Sequence, residues 1–560
     1  MKTNYILILM IVGLWPMYSI AQETLLGVDL SYVNEMEDCN AVYYQNGDAK
    51  EVYSIFKDNH AQVVRFRLWH NPTWTQYSNF ADVKKGIGRA KASGMKVLLD
   101  FHYSDTWTDP SKQERPAAWK DITDINVLAD SVYNYTFNVL SNLKKDNLMP
   151  EFVQIGNETN GNIMVGTGET LYPLNWTRNV KLFKVGIKAA NDVDAVTKTV
   201  LHIAGPNNGD WWFTDAKNNG LTNFDIIGLS YYPQWHKQSI SQVGSIVKNL
   251  KTKFTKPVWI VETGYPWTLD NNGDASNILN QESILAGYSN PPTPKSQKNF
   301  LINLNYAVIS NGGMGTIYWE PAWVSTSCST LWGPGSHYEN ATFFDFNNQL
   351  HEGIEYLNYD YSQAPVTSSQ VTFSVDMTGV TITDGVFVTG SFTGTNWQFM
   401  PMVNQGNNRY NYTTTLQKGD TGAYIYTVKA DWDMALYHEK VPVECAPMWG
   451  THRKYVIEGD TETFAFKWSS CEELAVSASE QNNSFGTKIY PNPFDTNFFI
   501  ETLIPHTKKI SIVSIDGKLV SEFEPDVNQI DGSNWNNGIY QIQWMDENNK
   551  ILKVLKIVKN

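Results

Sequence analysis

Eight short apolar runs, each followed by a loop and most by an amphipathic helix, occupy residues 25 to 355 and leave few folds open to this chain. The runs are Leu25–Leu30, Gln62–Leu68, Lys96–Phe101, Phe152–Gly156, Val200–Ala204, Phe224–Ser230, Val258–Val261 and Met314–Trp319. Between them, 81–93, 125–145, 179–192, 239–252 and 296–311 carry apolar residues at three- and four-residue spacing, the period of a helix with one buried face. Strands this apolar belong to a parallel sheet covered by helices. Eight strand–helix units in one domain predict a closed (β/α)₈ barrel, an α/β fold. A doubly wound open sheet is the competing fold, but no glycine-rich phosphate turn follows the first run.

After Pro365 the texture changes. Short alternating runs (371–375, 385–389, 410–415, 423–428 and 462–468), separated by Gly, Asn and Asp turns, predict an antiparallel β-sandwich. A polar stretch over 477–484 reads as a linker, and a last β-rich segment runs from Lys488 to the end. The expected organisation is a signal peptide over 1–21, a barrel over 22–362, a sandwich over 366–475, a linker over 476–486 and a second small all-β domain over 487–560.

The N-terminus supports export: Lys2, an apolar stretch from Tyr5 to Trp15, and Ser19-Ile20-Ala21 make up a secretory signal. That apolar stretch is too short to span a membrane comfortably, so no membrane span is expected in the mature protein. Export permits disulfides, and the positions of the four cysteines favour Cys39–Cys328 and Cys445–Cys471 among three pairings. A formal charge of −14 offers no basic field for nucleic acid or anionic lipid. The chain holds 20 Trp and 29 Tyr, whose flat faces suit sugar rings, although composition alone does not prove a sugar ligand.

Chemistry in such barrels sits where strands end. Glu158 closes the fourth run in Gln154-Ile-Gly-Asn-Glu158, and Glu262 closes the seventh in Trp259-Ile-Val-Glu262. A carboxylate directly after a buried strand is costly unless solvated or paired. Two of them, three strands apart, can face each other across the mouth. That is the apparatus of glycosidic bond cleavage, with one carboxyl protonated to serve the leaving oxygen and one ionised. A separation of about 5–5.5 Å means retention and roughly 6.5–9.5 Å means inversion. Arg65 and Arg67 share one face of the second strand, and either can hold a carboxylate ionised. His102 after the third strand, Tyr232 after the sixth and Trp319 on the eighth add an imidazole, a phenol and an indole floor, and Trp211, Trp235 and Trp323 are candidates to extend it.

These residues resemble clan A glycoside hydrolases, which share the Asn-Glu after strand four and the Glu after strand seven. Gly27-Val-Asp-Leu-Ser31, Val64-Arg-Phe-Arg-Leu-Trp-His-Asn-Pro72, Val97–Pro110 and Asp225–Pro233 narrow the resemblance to glycoside hydrolase family 53. That family implies an endo-β-1,4-galactanase acting on galactan and type I arabinogalactan side chains of pectin by retaining double displacement. Glu158 is then the acid/base, Glu262 the nucleophile and Asn157 a contact for the substrate 2-hydroxyl, and no cofactor is required for chemistry. Some bacterial members hold a calcium ion in the loop after strand seven, which here carries Asp270, Asn272 and Asp274, oxygen ligands that calcium tolerates. The sandwich resembles starch-binding-like carbohydrate modules, with Trp397 or Trp432 as candidate sugar contacts. The last segment resembles a type IX secretion sorting domain through Tyr490-Pro-Asn-Pro493, Ser514–Lys518 and Gly538-Ile-Tyr540, which implies a partner in that machinery and a released or surface-held product. The rival readings are a clan A hydrolase of mannan or xylan, and a non-catalytic galactan-binding surface protein.

Overall fold

The structure, a computed structural model, describes residues 23–330, 333–394, 397–474, 489–490, 494–500, 507–514, 518–524, 527, 529–545 and 551–559. The expected signal peptide, linker and Pro491–Pro493 lie outside the described residues. The chain divides into two compact units, one built on the segment up to Ser368 and the other of β-sheets beyond it.

The first unit is a closed barrel of eight parallel strands. They are β1 (Gly27–Asp29), β2 (Val63–Leu68), β3 (Lys96–Phe101), β4 (Phe152–Ile155), β5 (Lys198–Ala204), β6 (Ile226–Tyr231), β7 (Val258–Thr263) and β8 (Thr316–Tyr318). Each expected strand is present, and the five expected helices appear at Phe80–Ala92, Ile125–Lys145, Trp176–Val193, Ile240–Phe254 and Pro294–Ser310. Their starts follow from capping. Asn79, Asp124 and Asn175 accept backbone N–H groups of the first turn, and Ser239 with Gln242 and Thr293 with Ser296 make reciprocal capping boxes.

Four further helices, Val33–Asp38, Val52–Asp58, Gly209–Asn218 and Pro233–His236, went unread in the sequence because none exceeds ten residues. In Gly209–Asn218 the helical turn sends Trp212 into the core and leaves Trp211 39% exposed.

The strands do alternate once the barrel interior is resolved. Val63, Leu98, Phe152, Val200, Ile226 and Trp259 fill a lower interior layer. Their neighbours Val64, Leu99, Val153, Leu201, Ile227 and Ile260 face the helices. Two residues beyond the lower layer, Arg65, Asp100, Gln154 and His202 point inward again, because side chains alternate along a strand. The lumen is therefore apolar below and polar above. Cys39 and Cys328, 289 residues apart, are joined by a disulfide within this unit.

In the second unit, Val403–Gly406, Arg409–Gln417, Ser368–Asp376 and Thr461–Lys467 form one sheet, and Met400–Pro401, Phe387–Gly390, Thr421–Thr427 and Arg453–Val456 another. The expectation of an all-antiparallel sandwich needs correction, since Ser368–Asp376 and Thr461–Lys467 run parallel in register Gln370↔Thr461 to Asp376↔Lys467. Parallel pairing needs a long crossover, and these are the first and last strands of the module, with all the others between them. Cys445 pairs with Cys471. The remaining strands form two small antiparallel sheets around Phe494, Phe498, Ile512, Ile542 and Trp544.

Candidate active site

The polar layer of the barrel converges on Arg65. Its Nη1 donates to Asp29 Oδ2 at 2.9 Å and lies 3.1 Å from Glu262 Oε2, while Nη2 donates to Asp100 Oδ2 and Asn157 Oδ1, each at 2.8 Å. One buried guanidinium thus ties β1, β2, β3, the turn after β4, and β7. Asp100 also accepts from Gln154 Nε2 at 2.6 Å and lies 3.1 Å from His102 Nε2. Burial works to raise the Asp100 carboxyl, but Arg65 and His102 outweigh it and hold the group below the usual carboxylate range.

Glu262, at the top of β7, sits between opposing influences. Burial raises its pKa above the usual carboxylate range, and the Arg65 charge and a 3.0 Å hydrogen bond from the Tyr232 hydroxyl offset only part of that rise. Arg65 is one of the two arginines expected to hold a carboxylate ionised, and it and the Tyr232 phenol both touch Glu262. Arg67 does not share that task. It pairs with Glu320 at 2.7 Å and lies over the rings of Tyr32 and Trp107 at 4.3 and 4.2 Å.

Glu158 has no cation within ion-pair distance among the described residues. Burial, then the charge of Glu262, raises its pKa to about 8, and a hydrogen bond donated by Ser230 Oγ at 2.6 Å partly offsets the rise. Ser230 Oγ in turn lies 2.7 Å from Nε2 of His202, whose Nδ1 is 3.0 Å from Asn157 Oδ1. Burial keeps the His202 imidazole well below its ordinary pKa and hence neutral.

The turn that presents Glu158 depends on left-handed backbone. Gly156 has φ +86°, and a Cβ there would stand 2.6 Å from Thr159 Cγ2, while Glu158 itself has φ +46°. Gln113, from the loop after β3, braces this turn by donating to the carbonyl of Asn157 at 2.8 Å.

Both glutamates line one cleft of about 730 Å³ with Arg65, Asn157, His102 and Tyr232. Indoles of Trp107, Trp235, Trp319 and Trp323 flank it. Trp235 is half exposed, whereas Trp323 is buried and stacked on Tyr32 at 3.8 Å. Trp211 does not reach the cleft wall.

The sequence reading missed His202, Asp29, Asp100, Glu320 and the contact of Ser230 with Glu158. For His202 and Asp100 the signal was present: a polar residue two positions after an inward apolar one.

Asp270, Asn272 and Asp274 lie exposed on the loop after β7. Among the described residues no group of three or more His, Cys, Asp or Glu side chains is gathered to hold a metal ion. Asn272 instead uses its backbone N–H on Glu339 Oε1 at 2.5 Å, and Asn277 Nδ2 donates to the Asp270 carbonyl at 3.0 Å.

A (β/α)₈ barrel that presents two partly buried glutamates to one cleft at the ends of β4 and β7 has the architecture of a glycoside hydrolase. Residues 25–357 match glycosyl hydrolase family 53, and the chain belongs to that family. It is 50% identical over 324 residues to an arabinogalactan endo-β-1,4-galactanase of Cellvibrio japonicus, which covers 57% of this chain and 86% of that one. An arabinogalactan endo-β-1,4-galactanase of Thermothelomyces thermophilus is 33% identical over 317 residues, covering 53% and 89%. Among solved structures, the family 53 catalytic domain of Ignisphaera aggregans superposes with TM-score 0.56 at 31% identity, over 60% of this chain and 95% of that one. Two fungal β-1,4-galactanases are represented at TM-score 0.53 and 30% identity, over 60% and 100%. Residues 488–560 match a secretion-system C-terminal sorting domain, which addresses the protein by type IX secretion to the cell surface or exterior.

Any activity that requires protonated Glu158 is present below its pKa and lost as pH rises through it. Ser230 Oγ stabilises the ionised form, so Ser230→Ala raises that pKa further. The expected outcome is an alkaline limb of kcat/KM displaced to higher pH, read from a pH–rate profile. An unmoved or lowered limb contradicts this role of Ser230.

Proposed function

We propose that the protein is a retaining endo-β-1,4-galactanase that cuts galactan and type I arabinogalactan within the chain. The observation that carries the reading is the unequal treatment of two carboxyls in one cleft: Glu262 touches a guanidinium and a phenol, whereas Glu158 has no cation at ion-pair distance among the described residues and its pKa is pushed to about 8. The relatives' activity supports the choice of substrate.

In the first step the Glu262 carboxylate attacks the anomeric carbon, and a glycosyl ester bond forms as the C1–O4′ bond breaks. Glu158 gives its proton to the departing O4′. In the second step Glu158, now ionised, takes a proton from water, whose oxygen attacks C1. The ester bond breaks, the Glu262 carboxylate is regenerated, and the product keeps the β configuration. Arg65 and Tyr232 keep Glu262 ionised and aimed. Asn157, fixed by Arg65 and by its own Nδ2 donating to the Thr108 carbonyl at 2.8 Å, contacts the substrate 2-hydroxyl. His102, held by Asp100, binds substrate beside it, and Trp319 is the floor on which a galactose ring stacks. No cofactor enters these steps.

The test is reducing-sugar release, with product sizing, on galactan beside mannan, xylan and cellulose. Oligosaccharides from galactan alone are expected, and Glu262→Ala or Glu158→Ala should lower kcat by at least about 10³-fold. Cleavage of another polysaccharide with galactan untouched overturns the substrate, and full activity in Glu262→Ala overturns the mechanism.

A calcium ion at Asp270, Asn272 and Asp274 would hold the loop after β7 and take no part in bond cleavage. If the ion belongs to the protein, thermal unfolding shifts downward in EDTA and recovers with added calcium, following binding linkage. An identical melting temperature in EDTA and calcium removes it.

A further inference from the structure

A buried imidazole joins the two cleft-lining residues after β4, and its neighbours make opposite demands on its one hydrogen. His202, on β5, is fully buried, as are Ser230 and Gln154 beside it. Its Nε2 lies 2.7 Å from Ser230 Oγ, which lies 2.6 Å from Glu158 Oε1. Its Nδ1 lies 3.0 Å from Asn157 Oδ1, 3.1 Å from Gln154 Nε2 and 3.4 Å from the backbone nitrogen of Glu158. Burial keeps the ring neutral, so one nitrogen donates and the other accepts.

Asn157 Oδ1 can only accept, and the amide is fixed in orientation: Oδ1 receives Arg65 Nη2 at 2.8 Å while Nδ2 donates to the Thr108 carbonyl. The 3.0 Å contact with His202 is therefore a hydrogen bond only when the hydrogen is on Nδ1; otherwise two lone pairs oppose each other. With the hydrogen on Nδ1, Nε2 must accept. The Ser230 hydroxyl then turns to it, and Oγ is free to accept from a protonated Glu158. Gln154 does not contest this arrangement, because its two hydrogens are taken by Asp100 Oδ1 at 2.6 Å and the Gly156 carbonyl at 3.1 Å.

An ionised Glu158 reverses the chain. Its carboxylate can only accept, so Ser230 donates to it, Oγ accepts from Nε2–H, and Nδ1 faces Gln154 and the Glu158 amide as an acceptor. A hydrogen bond to a carboxylate is roughly twice as strong as a neutral one, which outweighs the lost bond to Asn157. Glu262, Asp109, Tyr232 and Arg65 stand around Glu158, and Arg65, Asp100, His102 and His236 around His202. Among the described residues none of these is hydrogen-bonded to the His202 ring, so Glu158, acting through Ser230, is the titratable group coupled to it.

We propose that His202 is a positioning residue whose hydrogen follows the state of Glu158: it sits on Nδ1, bound to Asn157, while Glu158 is protonated, and on Nε2, bound to Ser230, once Glu158 is ionised. One hydrogen leaves Nδ1 and one is gained at Nε2, so the ring stays neutral and only Glu158 changes charge. The catalytic meaning rests on the galactanase reading. Asn157 is then held by an extra hydrogen bond while Glu158 is ready as an acid, and is released from it while Glu158 is ready as a base. By linkage, a sugar that tightens this hold on Asn157 and the proton on Glu158 favour each other.

The experiment is nitrogen-15 NMR of the full-length protein labelled at histidine, titrated without substrate through the pKa of Glu158. A ring nitrogen with a hydrogen and one without give distinct signals. Those of His202 are assigned by their loss in His202→Asn. If that variant unfolds, they are assigned by their response to Ser230→Ala, since the Ser230 hydroxyl touches no other imidazole among the described residues. The expected result is a hydrogen on Nδ1 at low pH and on Nε2 at high pH, with a midpoint that matches the alkaline limb of kcat/KM. Glu262→Gln removes a charge that raises Glu158, so the midpoint moves to lower pH. Ser230→Ala cuts the chain, and the hydrogen stays on Nδ1 throughout.

One unchanged tautomer across the wild-type titration overturns the proposal. So does a ring that carries hydrogen on both nitrogens, or a midpoint that Ser230→Ala leaves in place. These signals need no substrate and are read apart from hydrolysis. Cleavage of a polysaccharide other than galactan, with the switch intact, overturns the substrate alone. Galactan cleavage by a protein whose His202 tautomer never changes overturns the switch alone.

Discussion

One guanidinium organises the upper half of the barrel. Arg65 is buried and addresses Asp29, Asp100 and Glu262 together with the amide oxygen of Asn157. Taking a single ion out of water costs on the order of several kcal/mol, which Coulomb attraction offsets only when the geometry is good and the remaining polar atoms are satisfied. Here each terminal nitrogen of Arg65 meets two acceptors and Asp100 is further satisfied by Gln154, while the buried Arg65 Nε has no hydrogen-bond partner among the described residues. Removing the arginine would leave three carboxyls facing one another without their shared cation. The stability of the barrel mouth and the ionisation of Glu262 therefore rest on the same residue.

That arrangement also explains how two glutamates on one scaffold come to differ. A strand side chain alternates, so an apolar lower layer and a polar upper layer can share the same eight strands. Arg65 reaches across this upper layer to β7 but meets the β4 turn through Asn157 and not through Glu158. Glu158 is left with a serine hydroxyl, itself placed by a neutral histidine. Burial raises both carboxyls, but Arg65 and Tyr232 hold the rise of Glu262 back, whereas Glu158 has the Ser230 hydroxyl as its hydrogen-bond donor and is pushed to about 8. The environments of the pair differ in the direction that the proposed displacement uses.

Much of this was legible in the sequence. The eight apolar runs specify the barrel because each must be covered on the outside by a helix and on the inside by other strands, and all eight are present. Glu158, Glu262 and Arg65 stood out because a charge beside a buried strand demands a partner. His202 and Asp100 were hidden by reading the strands as uniformly apolar, when Val200–His202 and Leu98–Asp100 repeat the Val63–Arg65 pattern. The contact of Ser230 with Glu158 could not be read, since it depends on how β6 is placed relative to the turn after β4. The parallel pairing of Ser368–Asp376 with Thr461–Lys467 was equally out of reach, because strand direction across a long connection leaves no local trace.

The central claim is that Glu262, held ionised by Arg65, forms a covalent bond to the sugar. A 2-deoxy-2-fluoro galactosyl donor with a good leaving group slows the second step more than the first, so the ester should accumulate. Intact-mass and peptide mass spectrometry should then show one adduct per protein, on the peptide bearing Glu262, and none in Glu262→Ala. An adduct on any other carboxylate, or turnover without an adduct and with inversion at C1, would contradict the account.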